Sequence, residues 1–181
     1  GVSGETLYRF SRGIDDRKVE PPGEAKSISR ETTFSRDTSD RTLLKATLRY
    51  LGERVGADLR HRKRQARCVT LKLRYADFTT ITRSNVLPQT IDSDRVIFNT
   101  GVKLLDKALS AEKRAVRLIG VGVSDLVDSG RQLTMLDDSA WRQEQLDRAI
   151  DRIRDKYGFS AIQTGRTLRL KDLFPESKGG Y

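Results

Sequence analysis

The stretch Lys26-Ser27-Ile28-Ser29-Arg30-Glu31-Thr32-Thr33-Phe34 sets small hydroxyls beside cations, and the chemistry open to that set is non-covalent capture of an anion. Ser hydroxyls and exposed amides donate to phosphate oxygens, while Lys26 and Arg30 supply charge. Ile28, Thr32 and Phe34 fall on one parity; Ser27, Ser29 and Glu31 fall on the other. A period of two describes a strand with one apolar face and one face of small polar side chains. Arg30 stands on the apolar parity, so it is expected near a sheet end where it can swing out. An ordinary solvated strand has the same pattern, and the nonapeptide alone leaves both readings open.

Other reactive residue types are scattered. Asp15-Asp16 are two adjacent carboxylates without further ligands, a poor start for a metal site. His61 lies in the basic run Arg60-His61-Arg62-Lys63-Arg64 with no nucleophile or second ligand nearby, and is expected at the surface. That run either faces solvent or meets a nucleic-acid backbone. Cys68 reads as a small strand residue and Trp141 as a packing anchor of a late helix. No catalytic constellation and no metal site emerge.

The 35 Lys/Arg and 25 Asp/Glu give a net charge of +10, unevenly placed. Residues 1–131 hold 26 Lys/Arg against 17 Asp/Glu, or +9, and residues 132–181 hold 9 against 8, or +1. A basic body with a nearly neutral tail implies a polyanion partner for the body. A single cysteine excludes an internal disulfide framework and fits a reducing compartment, here the cytoplasm. No apolar run approaches a membrane span. The chain starts at Gly1 without Met, and its first residues read as mid-helix, so a piece of a longer protein is expected.

The elements that must position these residues follow in order. Residues 4–12 place Leu7 and Phe10 on one helical face, stopped by Gly13, and a polar tether with Pro21-Pro22-Gly23 leads to the first strand. Ser39 or Asp40 caps a helix to about Arg62, with Leu44, Leu48, Leu51, Val55 and Leu59 as its apolar stripe. Val69, Leu71, Leu73 and Tyr75 alternate with Cys68, Thr70, Lys72 and Arg74; a turn at Ala76-Asp77 leads to a strand over residues 78–83. Asp92 or Ser93 caps a second core helix to about Ser110. A last strand runs from Val116 to Val123, with Gly120 and Gly122 on one parity, so that another backbone can come close there.

This order, strand–helix–strand–strand–helix–strand, predicts an α+β domain: a four-stranded antiparallel sheet, its first strand central, with both helices on one face. The opposite face then carries Ser27, Ser29, Thr70, Lys72, Arg74, Thr80 and Thr82. It is polar and basic and lacks the aromatics on which single-strand readers stack bases, so it suits a duplex backbone.

Lys26-Ser27-Ile28 with Glu31-Thr32-Thr33-Phe34, preceded by Gly13-Ile14-Asp15-Asp16-Arg17-Lys18-Val19, resembles the passage from thumb to little finger in bacterial Y-family translesion DNA polymerases of the DNA polymerase IV type. Arg117-Leu118-Ile119-Gly120-Val121-Gly122-Val123-Ser124 resembles the last strand of that little finger. The resemblance implies a thumb end and linker over residues 1–23, a DNA-binding little finger over 24–128 and a clamp-binding peptide with a helical tail over 129–181. It implies backbone contacts to duplex or primer–template DNA from Ser27, Ser29, Arg30, Thr82, Arg83 and Arg117. The catalytic carboxylates and their magnesium would belong to a palm upstream, leaving this stretch without a cofactor or activity of its own.

Gln132-Leu133-Thr134-Met135-Leu136 resembles the sliding-clamp peptide of bacterial polymerases, with Met135 and Leu136 in place of the usual last two hydrophobes. Gln132, Leu133, Met135 and Leu136 are its expected clamp contacts. A tail helix follows from Asp137-Asp138-Ser139, with Leu146, Ala149, Ile150, Ile153 and Tyr157 on one face and Gly158 at its end. A monomer is expected, with no membrane partner. The alternatives are a ferredoxin-like RNA-binding module, disfavoured by the bare sheet, and a small nuclease, which needs converging acids that the strands do not offer.

Overall fold

The computed structural model describes residues 2–21, 23–129 and 138–170. The elements run α1 (Val2–Ser11), β1 (Ser27–Thr38), α2 (Arg41–His61), β2 (Arg64–Tyr75), β3 (Thr80–Ile91), α3 (Asp94–Ala111), β4 (Val116–Asp128) and α4 (Asp138–Tyr157), with short 3-10 turns at Phe159–Ala161 and Leu168–Leu170. Asp40 starts α2 as expected: its carboxylate accepts the backbone N–H groups of Thr42 and Leu43 at 2.8 and 3.3 Å. Such a cap is worth about 1 kcal/mol.

The strands form one antiparallel sheet in the order β1-β4-β2-β3, and α2 and α3 cover one face of it. The α+β architecture is the expected one, but the expectation that the first strand is central is wrong. β4 inserts between β1 and β2, leaving β1 at an edge. The burial of the strands gives the reason. β4 buries Val116, Leu118, Ile119, Val121 and Val123, whereas β1 fully buries only Ile28 and Phe34. A strand carrying Arg30, Arg36 and Asp37 belongs where one side meets water. β3 is the other edge, and it runs eight residues beyond Arg83, through Pro88. Proline breaks a central strand but is tolerated at an edge, where its missing N–H faces no partner.

The core lies between the sheet and the two helices. Leu44, Leu48, Val55 and Leu59 of α2 meet Val69, Leu71, Leu73, Ile97, Leu105 and Ile119, all at most 1% exposed. Each such side chain contributes about 1.5–3 kcal/mol relative to exposure. Among the described residues no helix is long and apolar enough to cross a membrane.

The tail helix packs by its charged face. Of the apolar stripe, Ala149 and Ile150 are half-buried while Leu146, Ile153 and Tyr157 are exposed, and so is Trp141, which is therefore no packing anchor. Among the described side chains of α4 the buried ones are Asp147, Asp151 and Arg154. The surface they meet explains this, because α2 and α3 present charge there. Arg60 donates to Asp151 through Nε (2.6 Å) and Nη2 (2.9 Å), and through Nη1 to Asp94 Oδ1 (2.9 Å) and the Asp92 carbonyl (2.7 Å). Arg154 donates to Glu53 at 2.6 Å. Gly56 makes room for this junction, since a Cβ there would lie 1.9 Å from Asp94 Oδ1. Phe159 meets the Tyr50 ring edge-on at 5.5 Å, and Leu170 closes the contact at 2% exposure. Arg60 is thus neither a solvent cation nor a nucleic-acid contact. His61, one residue on, is half exposed beside Asp155 at 3.1 Å.

Candidate nucleic-acid interface

The open face of the sheet follows from strand register. Ser29 of β1 stands opposite Gly122 of β4, which pairs with Thr70 of β2, itself opposite Ser84 of β3. The next row is Glu31, Gly120, Lys72 and Thr82, and the one after it Thr33, Leu118, Arg74 and Thr80. Side chains alternate faces along a strand, so these rows all point away from the helices. Small hydroxyls dominate. Thr70 and Ser84 share a hydrogen bond at 2.9 Å, and Arg74 Nε donates to Thr80 Oγ1 at 3.0 Å.

The two glycines make the middle of this face concave. A Cβ at Gly122 would lie 2.9 Å from Ser29 Cβ and 3.3 Å from the Ile28 carbonyl; at Gly120 it would lie 2.8 Å from Glu31 Cβ. β1 approaches β4 closely because no side chain separates them. The resulting depression of about 260 Å³ is bordered by Ser27, Ser29, Glu31, Lys72, Thr82 and Ser124. Glu31, its one carboxylate among the described residues, accepts from Lys72 Nζ at 2.8 Å. An anion entering here competes with Glu31 for Lys72.

The structure brings Ser27, Ser29, Lys72, Arg74 and Thr82 onto this face. Lys26 is exposed at the start of β1, and Arg83 is exposed on edge strand β3, on the opposite parity from Thr82. Arg30 does not swing out. It lies on the helix-packed side of β1, and its guanidinium donates to Asp58 of α2 at 2.7 and 2.9 Å. Arg117, beside the irregular pairing at the start of β4, reaches Asp37 at 3.5 Å and lies 4.6 Å from the centre of the Phe78 ring. Gln132, Leu133, Met135 and Leu136 fall outside the described residues.

Sequence reasoning placed no weight on Glu31 as the acid of this face, nor on Ser84, because β3 was expected to stop at Arg83. The alternation of Thr80, Thr82 and Ser84 was the available signal. Asp15 and Asp16 do not pair around an ion. Asp15 is held to about 2 by hydrogen bonds from the Arg17 side chain and backbone, and Asp16 pairs with Arg9. Among the described residues no group of three or more His, Cys, Asp or Glu could hold a metal ion.

Residues 25–135 match the family model described as the impB/mucB/samB family C-terminal domain. The chain is 50% identical over 174 residues to a DNA polymerase IV of Dehalococcoides mccartyi, covering 96% of this chain and 44% of that protein. It is 41% identical over 167 residues to a DNA polymerase IV of Desulfatibacillum aliphaticivorans, covering 90% and 42%. The chain therefore spans less than half the length of the curated relatives it matches. Among solved structures, the insertion ternary complex of Dbh DNA polymerase shares the fold, with a TM-score of 0.52 at 18% identity over 70% of this chain and 36% of that one. With more than half of its residues inside the family model, the chain belongs to the impB/mucB/samB family of Y-family polymerases and carries that family's C-terminal domain.

Proposed function

We propose that this chain is the DNA-holding part of a DNA polymerase IV-type translesion enzyme, gripping duplex or primer–template DNA by its phosphate backbone. The observation that carries the reading is the glycine-floored open face, where hydroxyls of Ser27, Ser29, Thr70 and Thr82 surround Lys72, with Arg74 one row on. A duplex backbone can lie against that floor, accept from the hydroxyls and take charge from the cations. Exposed Lys26 and Arg83 at the edges extend the positive border. Such contacts position DNA but read no bases. Nucleotidyl transfer and its magnesium reside elsewhere in the polymerase, and this chain works as a cytoplasmic monomer without a cofactor.

Binding to several unrelated duplexes across a salt series tests this. Affinity is expected to vary little with sequence and to fall about 10²-fold between 50 and 200 mM salt, as release of about four counterions requires. Salt-independent binding, or strong preference for one sequence, overturns it.

The second part of the proposal is a tether. Leu133, Met135 and Leu136 offer hydrophobes to an apolar groove and Gln132 a hydrogen bond at its edge, the pattern of an extended peptide on a bacterial sliding clamp. Micromolar affinity is expected, on the order of −8 kcal/mol. Replacing Gln132, Leu133 and Leu136 together by Ala should abolish clamp binding in calorimetry and leave DNA affinity unchanged. Unchanged clamp binding, or a chain that no longer folds, refutes the tether.

A further inference from the structure

We propose that Phe78, backed by Arg117, is a stacking subsite for an unpaired nucleobase at the end of the DNA-holding sheet. The proposal rests on the DNA-holding reading above and adds a contact that reads strandedness where the open face reads only backbone.

The turn between β2 and β3 carries the argument. Phe78 N–H donates to the Tyr75 carbonyl at 3.0 Å, and Tyr75 N–H to the Thr79 carbonyl at 2.9 Å. Ala76-Asp77-Phe78 is thus a three-residue hairpin loop, whose last position adopts the left-handed conformation and ordinarily holds glycine. Phe78 occupies it with φ +65°. The ring gains little burial in exchange, being 63% exposed. The local return is one guanidinium contact worth about 0.5–1 kcal/mol, and an unfavourable backbone under a mostly exposed ring points to a use for the side chain.

The turn holds the ring firmly. Asp77 accepts from Thr79 N–H at 3.0 Å and from Arg114 Nη1 at 2.6 Å, and Ala76 N–H donates to the Ala115 carbonyl at 3.1 Å. The Arg117 guanidinium lies 4.6 Å from the ring centre. An exposed ring paired with a guanidinium is the chemistry that captures unstacked bases. Its place fits as well. Thr80, two residues on, heads the row that contains Arg74, so the ring stands at the end of the surface that would hold the duplex. A duplex lying there would present to Phe78 its next base, provided that base is unpaired.

The test compares a blunt duplex with the same duplex bearing a short single-stranded extension that contains 2-aminopurine. The parent is expected to bind the extended DNA about tenfold more tightly, equivalent to about 1.4 kcal/mol, with quenched 2-aminopurine fluorescence. Phe78→Ala should lose the preference and the quenching while binding blunt duplex as the parent does, and Phe78→Trp should keep both. Phe78→Gly adds a readout that a structural role would not allow. Its melting temperature should be no lower than the parent's, because glycine is at ease at this φ, yet the preference should vanish. Equal parental affinity for both DNAs overturns the proposal. So does a preference that survives Phe78→Ala, which would assign the ring to a protein contact, or a clear loss of melting temperature in Phe78→Gly. A parent that binds neither DNA removes the DNA-holding reading and this inference with it.

Discussion

Arg60→Ala should lower the melting temperature by about 10 °C and loosen the tail helix. The guanidinium is only 8% exposed and bonds α2 to both α3 and α4, beside the Arg154–Glu53 pair. Two of its nitrogens grip Asp151, and the third serves Asp94 and the Asp92 carbonyl. Asp147 lies 3.8 Å away. Burial alone would lower the affinity of Arg60 for its proton, yet hydrogen bonds and charge from Asp151 and Asp94 hold it above the ordinary value. Removing it leaves buried acids without their main counter-charge, a loss of about 3–5 kcal/mol, at roughly 2–4 °C for each kcal/mol in a chain of this size. Arg60→Lys should not rescue, because a single ammonium cannot reproduce a fork that bonds three partners. Calorimetry gives the first number, and hydrogen exchange over residues 141–157 the second. A loss below about 1 kcal/mol would show that the tail is held by Tyr50, Phe159 and Leu170 instead.

The same junction has a pH signature. Burial raises Asp94 to about 7 against the pull of Arg60, and it also raises Asp92. Glu53, Glu144, Asp147, Asp151 and Arg154 are the other charged groups that face this cluster among the described residues. A carboxyl whose folded pKa lies above its unfolded value of 3.8 binds a proton more tightly in the folded chain. Its stabilising contribution is therefore full below about pH 4 and is lost as pH rises through 7. Stability of the parent should decline between about pH 4 and 7, and Asp94→Asn should flatten that decline.

What was legible in the sequence, and what was not, follows from the range of the forces involved. The helices over residues 41–61 and 94–111 and the alternation of residues 69–75 are local patterns of apolar spacing, and they are where the spacing put them. The open face was legible for the same reason, since parity alone sorts Ser29, Lys72 and Thr82 to one side. Strand order was not, because it depends on which strand is buried on both flanks, a property of the whole sheet. The packing of α4 was not legible, because an apolar stripe normally marks the buried side. Here Glu53, Arg60 and Asp94, far away in sequence, reward the charged side instead. Arg30 shows the same limit: only the fold brings Asp58 beside it.

Gly122→Val should both weaken the fold and remove the seat for DNA. Position 122 sits between β1 and β2 on the open face, paired with Ser29 and Thr70. Its missing side chain lets the Ser29 Cβ come within 2.9 Å of where a Cβ would stand, a distance real Cβ atoms essentially never reach. The obstacle is the root of a side chain and a backbone carbonyl, so no rotamer change relieves it. β1 must move away, and overpacking of this kind costs about 1–3 kcal/mol. As an edge strand paired only with β4, β1 can move without dismantling the core. The variant should therefore stay folded at room temperature with a melting temperature several degrees lower. DNA affinity should fall more than tenfold, because the valine methyl groups would fill the concave floor and the shifted β1 would carry Ser27 and Ser29 out of place. Circular dichroism establishes the fold, and fluorescence anisotropy with a labelled duplex measures affinity at the same temperature. A variant that melts with the parent shows that β1 has slack the close approach does not suggest. One that binds DNA as the parent does shows that the backbone is held somewhere other than the floor made by Gly120 and Gly122.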